Sequence, residues 1–256
     1  MSFFKQFPKI GYDFELKGIK QNVVDIFRHV KPIQEFIDNY TQYRFYEVEN
    51  GERPDIVSER IYGSTQYYWT FFVVNDFLHD GYRAWPMSQE DLHQYIDEEY
   101  NGYAIVTRAE INPNNSIAGR FQIGETIQGN NSGAKGTLFR KNLDNNQLIV
   151  RDMQNTNAYE EEETIQGNTS NDFVVSSQIF KYADAPYYYY KTGDAKKRPQ
   201  TNALHIQGAQ HGDGELSFTT YRQYEYDLNE TRSTIRVVDP NYIGQFAETF
   251  EKLLNA

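Results

Sequence analysis

The sequence predicts an α+β protein: a helical-pair core with extended arms, an inserted small antiparallel β-barrel-like module, and a C-terminal helical region. Three observations predict it. Residues 46–92 follow a turn–helix–turn–helix–turn grammar and hold both tryptophans, Trp69 and Trp85. From about Ile117 the texture changes to short alternating runs rich in Gly, Asn and Thr, with an internal repeat. After residue 183 apolar residues return to helical spacing. The boundaries drawn are 1–45 for an N-terminal arm with short helices, 46–102 for the core with a trailing helix, 117–182 for the inserted module, and 183–256 for the C-terminal region with its Tyr-rich and basic loop.

Residues 1–22 read as an aromatic-rich arm in which Pro8, Gly11 and Gly18 punctuate Phe3, Phe4, Phe7, Tyr12 and Phe14. Val23, Val24, Phe27 and Val30 then predict a short helix limited by Pro32, and Ile33, Phe36, Ile37 and Tyr40 repeat its spacing. Tyr43 to Val48 alternates as a strand, and Asn50-Gly51 is its turn. Pro54 suits a first helical turn, Glu52 and Asp55 favour its positive end, and Gly63 ends the helix in the left-handed conformation. Ser64 caps the next helix, Gln66 to Phe77, which is apolar almost all round and therefore buried on most faces. Asp80-Gly81 turns the chain and Trp85-Pro86-Met87 is extended. Ser88 with Asp91 starts a helix striped by Leu92, Tyr95, Ile96 and Tyr100, which ends near Asn101-Gly102.

In the inserted module, strands are expected at Arg120–Thr126, Gly136–Arg140, Gln147–Asp152, Glu163–Gln166 and Phe173–Tyr182. GETIQGNNS (Gly124–Ser132) recurs as EETIQGNTS (Glu162–Ser170), thirty-eight positions later, with seven of nine residues identical. Two copies predict paired β-arcs of one small barrel, because a solenoid needs at least three. Four consecutive tyrosines, Tyr187, Tyr188, Tyr189 and Tyr190, precede a basic loop of Lys191, Lys196, Lys197 and Arg198. Leu216, Tyr221, Tyr224 and Leu228 lie at helical spacing, and Ile235 to Val238 is a short strand. Asp239-Pro240 starts a last helix as N-cap and first residue, with the stripe Ile243, Phe246, Phe250, Leu253 and Leu254.

Composition narrows the function. The net charge is −11 and the pI about 5.0, which disfavours nucleic acid as a partner. There is no cysteine, so thiolate catalysis, disulfides and Cys-ligated metals are excluded. No apolar run is long enough for a membrane span, and no signal peptide is read. Aromatic residues make up 16 % of the 256-residue chain. Each removes roughly 150–250 Å² from water when buried, and tyrosine is the residue expected at protein interfaces.

Motifs for chemistry are weak. HIQGAQHGDGE offers His205, His211 and Asp213 to a metal, but reads better as a polar loop, and no metal or other cofactor is expected. Glu59, the least implausible catalytic acid, sits beside Ser58 and Arg60 on what reads as a solvated helix face. Glu160 to Glu163 reads as a solvated turn. Neither G-x-S-x-G nor a phosphate loop is present. The candidate contact residues are therefore interfacial: Arg53, Pro54, Tyr62, Trp85, Pro86, Met87, the four tyrosines 187–190, and Lys196, Lys197 and Arg198. Trp69 is assigned to the core.

Residues 46–92 resemble a LysM module in layout: a strand (YEVENG), a helix ending in YG, a second helix carrying Trp69 and Asn75, and an extended Trp85-Pro86. They depart from peptidoglycan-binding LysM modules at Gly51-Glu52-Arg53-Pro54, and in the helix that continues where those modules finish with a strand. RPDIVSERIYGSTQYYWTFFVVND, WPMSQEDL, VVDIFRHV, APYYYYKTGDAKKRP and LNETRSTIRVVDPNYIGQFAETFEKLL resemble the gene-53-type baseplate wedge proteins of contractile-tailed phages. The resemblance covers about 1–100 and 183–256, with 117–182 as an insertion. It implies a non-enzymatic virion structural protein, made in the host cytoplasm and placed in many copies in the tail baseplate. There it would join wedge and core-bundle subunits and a sheath-initiator-like subunit. The alternative is a LysM-like peptidoglycan-binding module of a phage tail or cell-wall-associated protein.

Overall fold

The computed structural model describes residues 7–25, 42–107, 113–191, 193 and 216–255. The chain divides into two compact units, Met1–Glu90 with Leu228–Ala256, and Asp91–Asp227. In chain order the elements are β1 (Lys9–Tyr12), β2 (Gln21–Val24), β3 (Tyr43–Glu47), α1 (Pro54–Tyr62), α2 (Trp69–Val74), α3 (Gln89–Glu99), β4 (Tyr103–Thr107), β5 (Thr126–Gly129), β6 (Lys135–Asn142), β7 (Gln147–Arg151), β8 (Thr164–Gly167), β9 (Phe173–Lys181), β10 (Pro186–Lys191), β11 (Leu216–Thr220), α4 (Tyr221–Ser233), β12 (Thr234–Val238) and α5 (Ile243–Asn255).

The first unit is built on an antiparallel pair of strands far apart in sequence. β3 pairs with β12 in the register Tyr46↔Ile235 and Arg44↔Val237. α1 and α2 follow β3, and their apolar side chains join the inward residues of β12. Val57 of α1, Phe71 of α2, Val48, Leu78, Trp85, Ile235 and Val237 form one cluster. Trp69, Val74 and Val238 form a second with Phe7 and with Ile243, Phe246, Phe250 and Leu254 of α5. Each such side chain contributes about 1.5–3 kcal/mol on burial. Pro54 opens α1, and Gly63, at φ 67°, closes it with its N–H on the Glu59 carbonyl. Ser64 accepts from the Gln66 N–H as expected of a cap.

Three expectations for this unit change. The helix expected over 66–77 is interrupted: a 3-10 turn at Thr65–Tyr67 and α2 are followed by extended Asn75, at φ −119° and ψ 99°. The cause is the Asn75 side chain, whose Nδ2 donates to the carbonyls of Phe71 and Arg236 (both 2.8 Å) while Oδ1 accepts from Arg236 N–H (2.8 Å). The amide thus takes the place of a further strand on β12. Val23 and Val24 form strand β2, paired with β1, rather than opening a helix; the rest of that expected helix and the one at 33–40 lie outside the described residues. α5 begins at Ile243 rather than beside Pro240. Asp239 instead caps the preceding turn, accepting from Asn241 N–H (2.9 Å) and pairing with Arg44 (2.6 Å). These bonds, the Asn241 N–H foremost, hold its carboxyl below the usual range.

In the second unit six strands close into a barrel in the order β4-β7-β6-β5-β8-β9. β4 was not expected, and the module therefore starts at Tyr103 rather than near residue 117. Arg120 to Glu125, expected as a strand, is irregular, and pairing starts at Thr126. Exchanging β4, β5 and β6 for β7, β8 and β9 leaves the strand order unchanged, so two β-β-β halves are related by a pseudo-twofold. A bulge at Phe139 in β6 has its counterpart at Ser177 in β9, thirty-eight positions on. The repeated TIQG strands, β5 and β8, pair antiparallel with each other, Gln128 against Gln166. Their isoleucines, Ile127 and Ile165, meet Ile105, Phe121, Leu138, Leu148, Val150, Tyr159 and Val174 in the barrel core. Chain entry at Gly102, φ 96°, admits no side chain: a Cβ there would sit 2.1 Å from the Val150 carbonyl oxygen.

Candidate interaction surfaces

The helical-pair residues selected from sequence divide between core and surface. Trp85 is buried, its indole N–H on the Glu52 carbonyl (2.7 Å) and its ring against Phe71 and Phe72. Pro54 and Pro86 are buried as well. The proposed Trp85-Pro86 contact edge is therefore corrected: these side chains are spent inside the chain, where the indole ring packs and its N–H finds a backbone carbonyl. Tyr62 donates to the Val238 carbonyl (3.0 Å), and burial raises its hydroxyl pKa well above the ordinary value. Met87 is half-buried and its backbone is held by Asn229, N–H to Oδ1 at 2.8 Å and Nδ2 to O at 3.1 Å. Arg53 is exposed and paired with Asp55 (3.1 Å).

Above α1 lies a small charged network. Arg60 meets Glu49 (2.9 Å) and the buried Glu52 carboxylate (3.0 Å), and Tyr46 donates to Glu52 (2.9 Å). Burial, then Glu52, raises the Tyr46 pKa, so its hydroxyl stays a donor. Glu59 is exposed on α1.

The tyrosine run is a strand. Tyr189 is buried. Tyr187 packs against Tyr224 (4.3 Å between ring centres) and Tyr221 (5.0 Å), and Tyr221 against Tyr182 (4.8 Å) and Tyr100 (5.2 Å). Burial pushes the Tyr182 hydroxyl up to about 12. Tyr188 and Tyr190 are half-buried. Much of the run is thus a tyrosine core rather than a contact surface. Lys196, Lys197, Arg198, His205, His211 and Asp213 lie outside the described residues.

Glu163, expected in a solvated turn, is fully buried. Its carboxylate accepts from the first repeat's loop, Asn131 N–H (3.1 Å), Ser132 N–H (3.0 Å) and Ser132 Oγ (2.9 Å), and from Glu160 N–H (2.7 Å). Glu125 does the same for the second repeat, accepting from Thr169 N–H (3.0 Å), Ser170 N–H (2.9 Å), Ser170 Oγ (2.9 Å) and Gln122 N–H (2.6 Å). Burial raises the Glu125 pKa, but the N–H groups of Ser170, Gln122 and Thr169 outweigh it and hold the carboxyl below its ordinary value. A carboxylate with four donors on it is an internal anchor and has no lone pair left for an outside ligand. The glycines that follow are required: a Cβ on Gly129 would lie 2.5 Å from Glu163, and one on Gly167 2.7 Å from Glu125. The repeated Glu and Gly were the signal for this pair.

Sequence reading passed over Leu16 and Ile19. On the β1–β2 hairpin they stand exposed with Tyr12 and Phe14. A second surface feature is a pocket of about 210 Å³ lined by Val74, Asn75, Asp76, Phe77 and Arg236 at the end of α2.

These features define a two-unit α+β scaffold whose described carboxylate clusters are structural and whose first unit projects an apolar hairpin. Residues 2–113 match the family described as Base plate wedge protein 53, and over that segment the resemblance to phage baseplate wedge proteins holds. A stretch of 94 residues is 33 % identical to baseplate wedge protein gp53 of Enterobacteria phage T4, covering 34 % of this chain and 47 % of that protein. The chain thus spans about half the length of the curated relative that it matches. Both similarities are to baseplate wedge proteins, and every strand of the barrel except β4 lies beyond the matched family segment.

Proposed function

We propose that the chain is a structural subunit of a phage tail baseplate wedge, joining neighbouring wedge subunits through protein–protein contacts. The observation that carries this reading is the family match over residues 2–113, which spans β3, α1 and α2. Wedge and core-bundle subunits and a sheath-initiator-like subunit are the partners proposed, as the sequence resemblance implies. The negative net charge argues against nucleic acid. The test is co-expression with the wedge subunits encoded beside it, followed by native mass spectrometry. A defined heteromer is expected, and a chain that stays alone with every wedge subunit overturns the reading.

A LysM-like origin for the first unit is the finer part of this proposal. Its support is topological: two antiparallel strands, β3 and β12, flank a helix pair. The strand absent after Pro86 in the sequence has a counterpart in β12. Glycan binding is the second reading, favoured by the pocket at the end of α2 with Phe77 40 % exposed beside it. Trp69→Ala does not test this, because Trp69 packs on Phe250 at 4.7 Å and its loss empties the core. Phe77→Ala does: peptidoglycan retention that this variant abolishes favours glycan binding, and no retention of the parent chain removes it.

A further inference from the structure

We propose that the β1–β2 hairpin is a preorganised docking finger that inserts into an apolar cleft on a different protein subunit of the assembly, an inference that rests on the structural-subunit reading above. The hairpin is rooted by Phe7, buried among Trp69, Phe246 and Phe250, with Val24 packed on the same cluster. Beyond that root almost every residue is exposed. Its tip is nevertheless tied by hydrogen bonds. The Asp13 carboxylate accepts from three backbone N–H groups, those of Glu15 (3.2 Å), Lys17 (3.2 Å) and Gly18 (2.5 Å). Inside this fork Leu16 takes φ 54°, and Gly18 φ 81°. A left-handed leucine is strained, and Leu16 is 93 % exposed, so packing among the described residues does not offset that strain. Phe14 at 62 % and Ile19 at 71 % are exposed beside it. A two-stranded hairpin alone is marginal in water, yet this one holds its apolar side chains outward.

Charge and area select the receptor. The hairpin carries Lys9, Lys17 and Lys20 against Asp13, Glu15 and Asp25, so it is neutral on a chain of net charge −11. An anionic lipid surface would repel such a molecule, and binding there normally needs a basic face. Ile10, Tyr12, Phe14, Leu16 and Ile19 together expose roughly 500–600 Å² of largely apolar surface, taking the size of aromatic and large aliphatic side chains. That is at the upper end of the largest patch a typical monomer exposes, about 300–600 Å², and below the ~800 Å² per partner that a self-sufficient dimer interface uses. The finger therefore suits an anchor within a contact completed elsewhere in an assembly better than a homodimer seam.

The test compares the full chain with Leu16→Glu/Ile19→Glu and with Asp13→Ala, each co-expressed with the wedge subunits. The double variant is expected to weaken the heteromer at least ~100-fold, as loss of two anchor residues does, with an unchanged melting temperature because both side chains are exposed. Asp13→Ala keeps every apolar side chain and removes the fork, and is expected to weaken binding about five- to tenfold through lost preorganisation. If the parent chain forms the heteromer and the double variant forms it equally well, the finger is refuted while the structural-subunit reading stands. If the parent forms none, both fall. Two controls also overturn the inference: a concentration-dependent homodimer lost in the double variant, or flotation of the parent with phosphatidylglycerol vesicles lost in it.

Discussion

Replacing Glu163 by Gln tests the exchange of carboxylates that ties the barrel halves together. The side chain keeps its volume and loses one acceptor oxygen. Oε1 faces Ser132 Oγ and Glu160 N–H, and Oε2 faces the N–H groups of Asn131 and Ser132. Whichever way the amide turns, its NH₂ points at one of these pairs. Turned toward the Oε1 position, the NH₂ donates to the Ser132 hydroxyl and leaves one donor, Glu160 N–H, facing it unpaired, which costs about 1–3 kcal/mol. The expected loss is about 2 kcal/mol, which lowers the melting temperature of a unit this size by roughly 4–8 °C. Glu125→Gln removes the matching bonds and is expected to cost the same within about 1 kcal/mol. Differential scanning calorimetry on the full chain reads both. A loss under about 1 kcal/mol for either variant, or a cost confined to one, would refute the reciprocal-anchor reasoning. The pH dependence has a defined sign. The folded Glu125 carboxyl lies below its ordinary value of 4.5, so its stabilisation is complete above that pH and is lost as pH falls through the folded value. The parent barrel should lose stability below about pH 4.5, and Glu125→Gln should remove part of that acid loss.

Three further substitutions address the first unit, read by tryptophan fluorescence because Trp69 and Trp85 both belong to it. Asn75→Ala strips the N–H and carbonyl of Arg236 and the carbonyl of Phe71 of a partner, and should lower stability by about 2–3 kcal/mol in urea unfolding. Trp85→Phe keeps a ring against Phe71 but drops the bond to Glu52, and should cost about 1–3 kcal/mol. Tyr62→Phe should cost about 1 kcal/mol through the Val238 carbonyl, with no change in the slope of the denaturant transition.

The sequence showed local order well and long-range pairing poorly. Pro54, Gly63 and Ser64 mark their termini because capping is a contest among neighbours in the chain. The GETIQG repeat foretold a barrel because two copies of one β-arc must pair with each other. Asn75 broke a helix that apolar periodicity favoured, since its hydrogen-bond partner is Arg236, 161 positions away. Glu163 looked solvated inside an acidic run, and only its repeat mate Glu125 hinted that it caps another loop. The tyrosine run looked interfacial by composition, but Tyr187 packs on Tyr224 of α4 and Tyr189 on its β11 partner Phe218. Leu16 and Ile19 carry no periodicity, so nothing in the sequence separated a projecting finger from an ordinary arm.

The topology sets a condition on how the first unit forms. Its closing strand β12 is separated from β3 by the whole second unit, Asp91–Asp227. As an unfolded loop that insertion would penalise the β3–β12 pairing through closure entropy. Folded, it holds its own ends together: Tyr226 OH lies 3.0 Å from the His93 ring nitrogens, Arg222 3.8 Å from Asp97, and Tyr100 OH 2.5 Å from Glu225. Shrinking the effective loop from the full insertion to a few residues is worth about 3 kcal/mol. On the first unit's side, Met87 and Asn229 are hydrogen-bonded neighbours, so a short Gly-Ser linker can replace Asp91–Asp227. This deletion chain should fold, with buried-type tryptophan emission and a cooperative urea transition no weaker than that of the full chain. Conversely, Glu163→Gln at a temperature where the barrel is open should lower the tryptophan-monitored stability by up to about 3 kcal/mol, although no residue of the first unit is altered. A deletion chain without a cooperative transition, or a tryptophan signal indifferent to barrel unfolding, would show that the two units do not share this closure term.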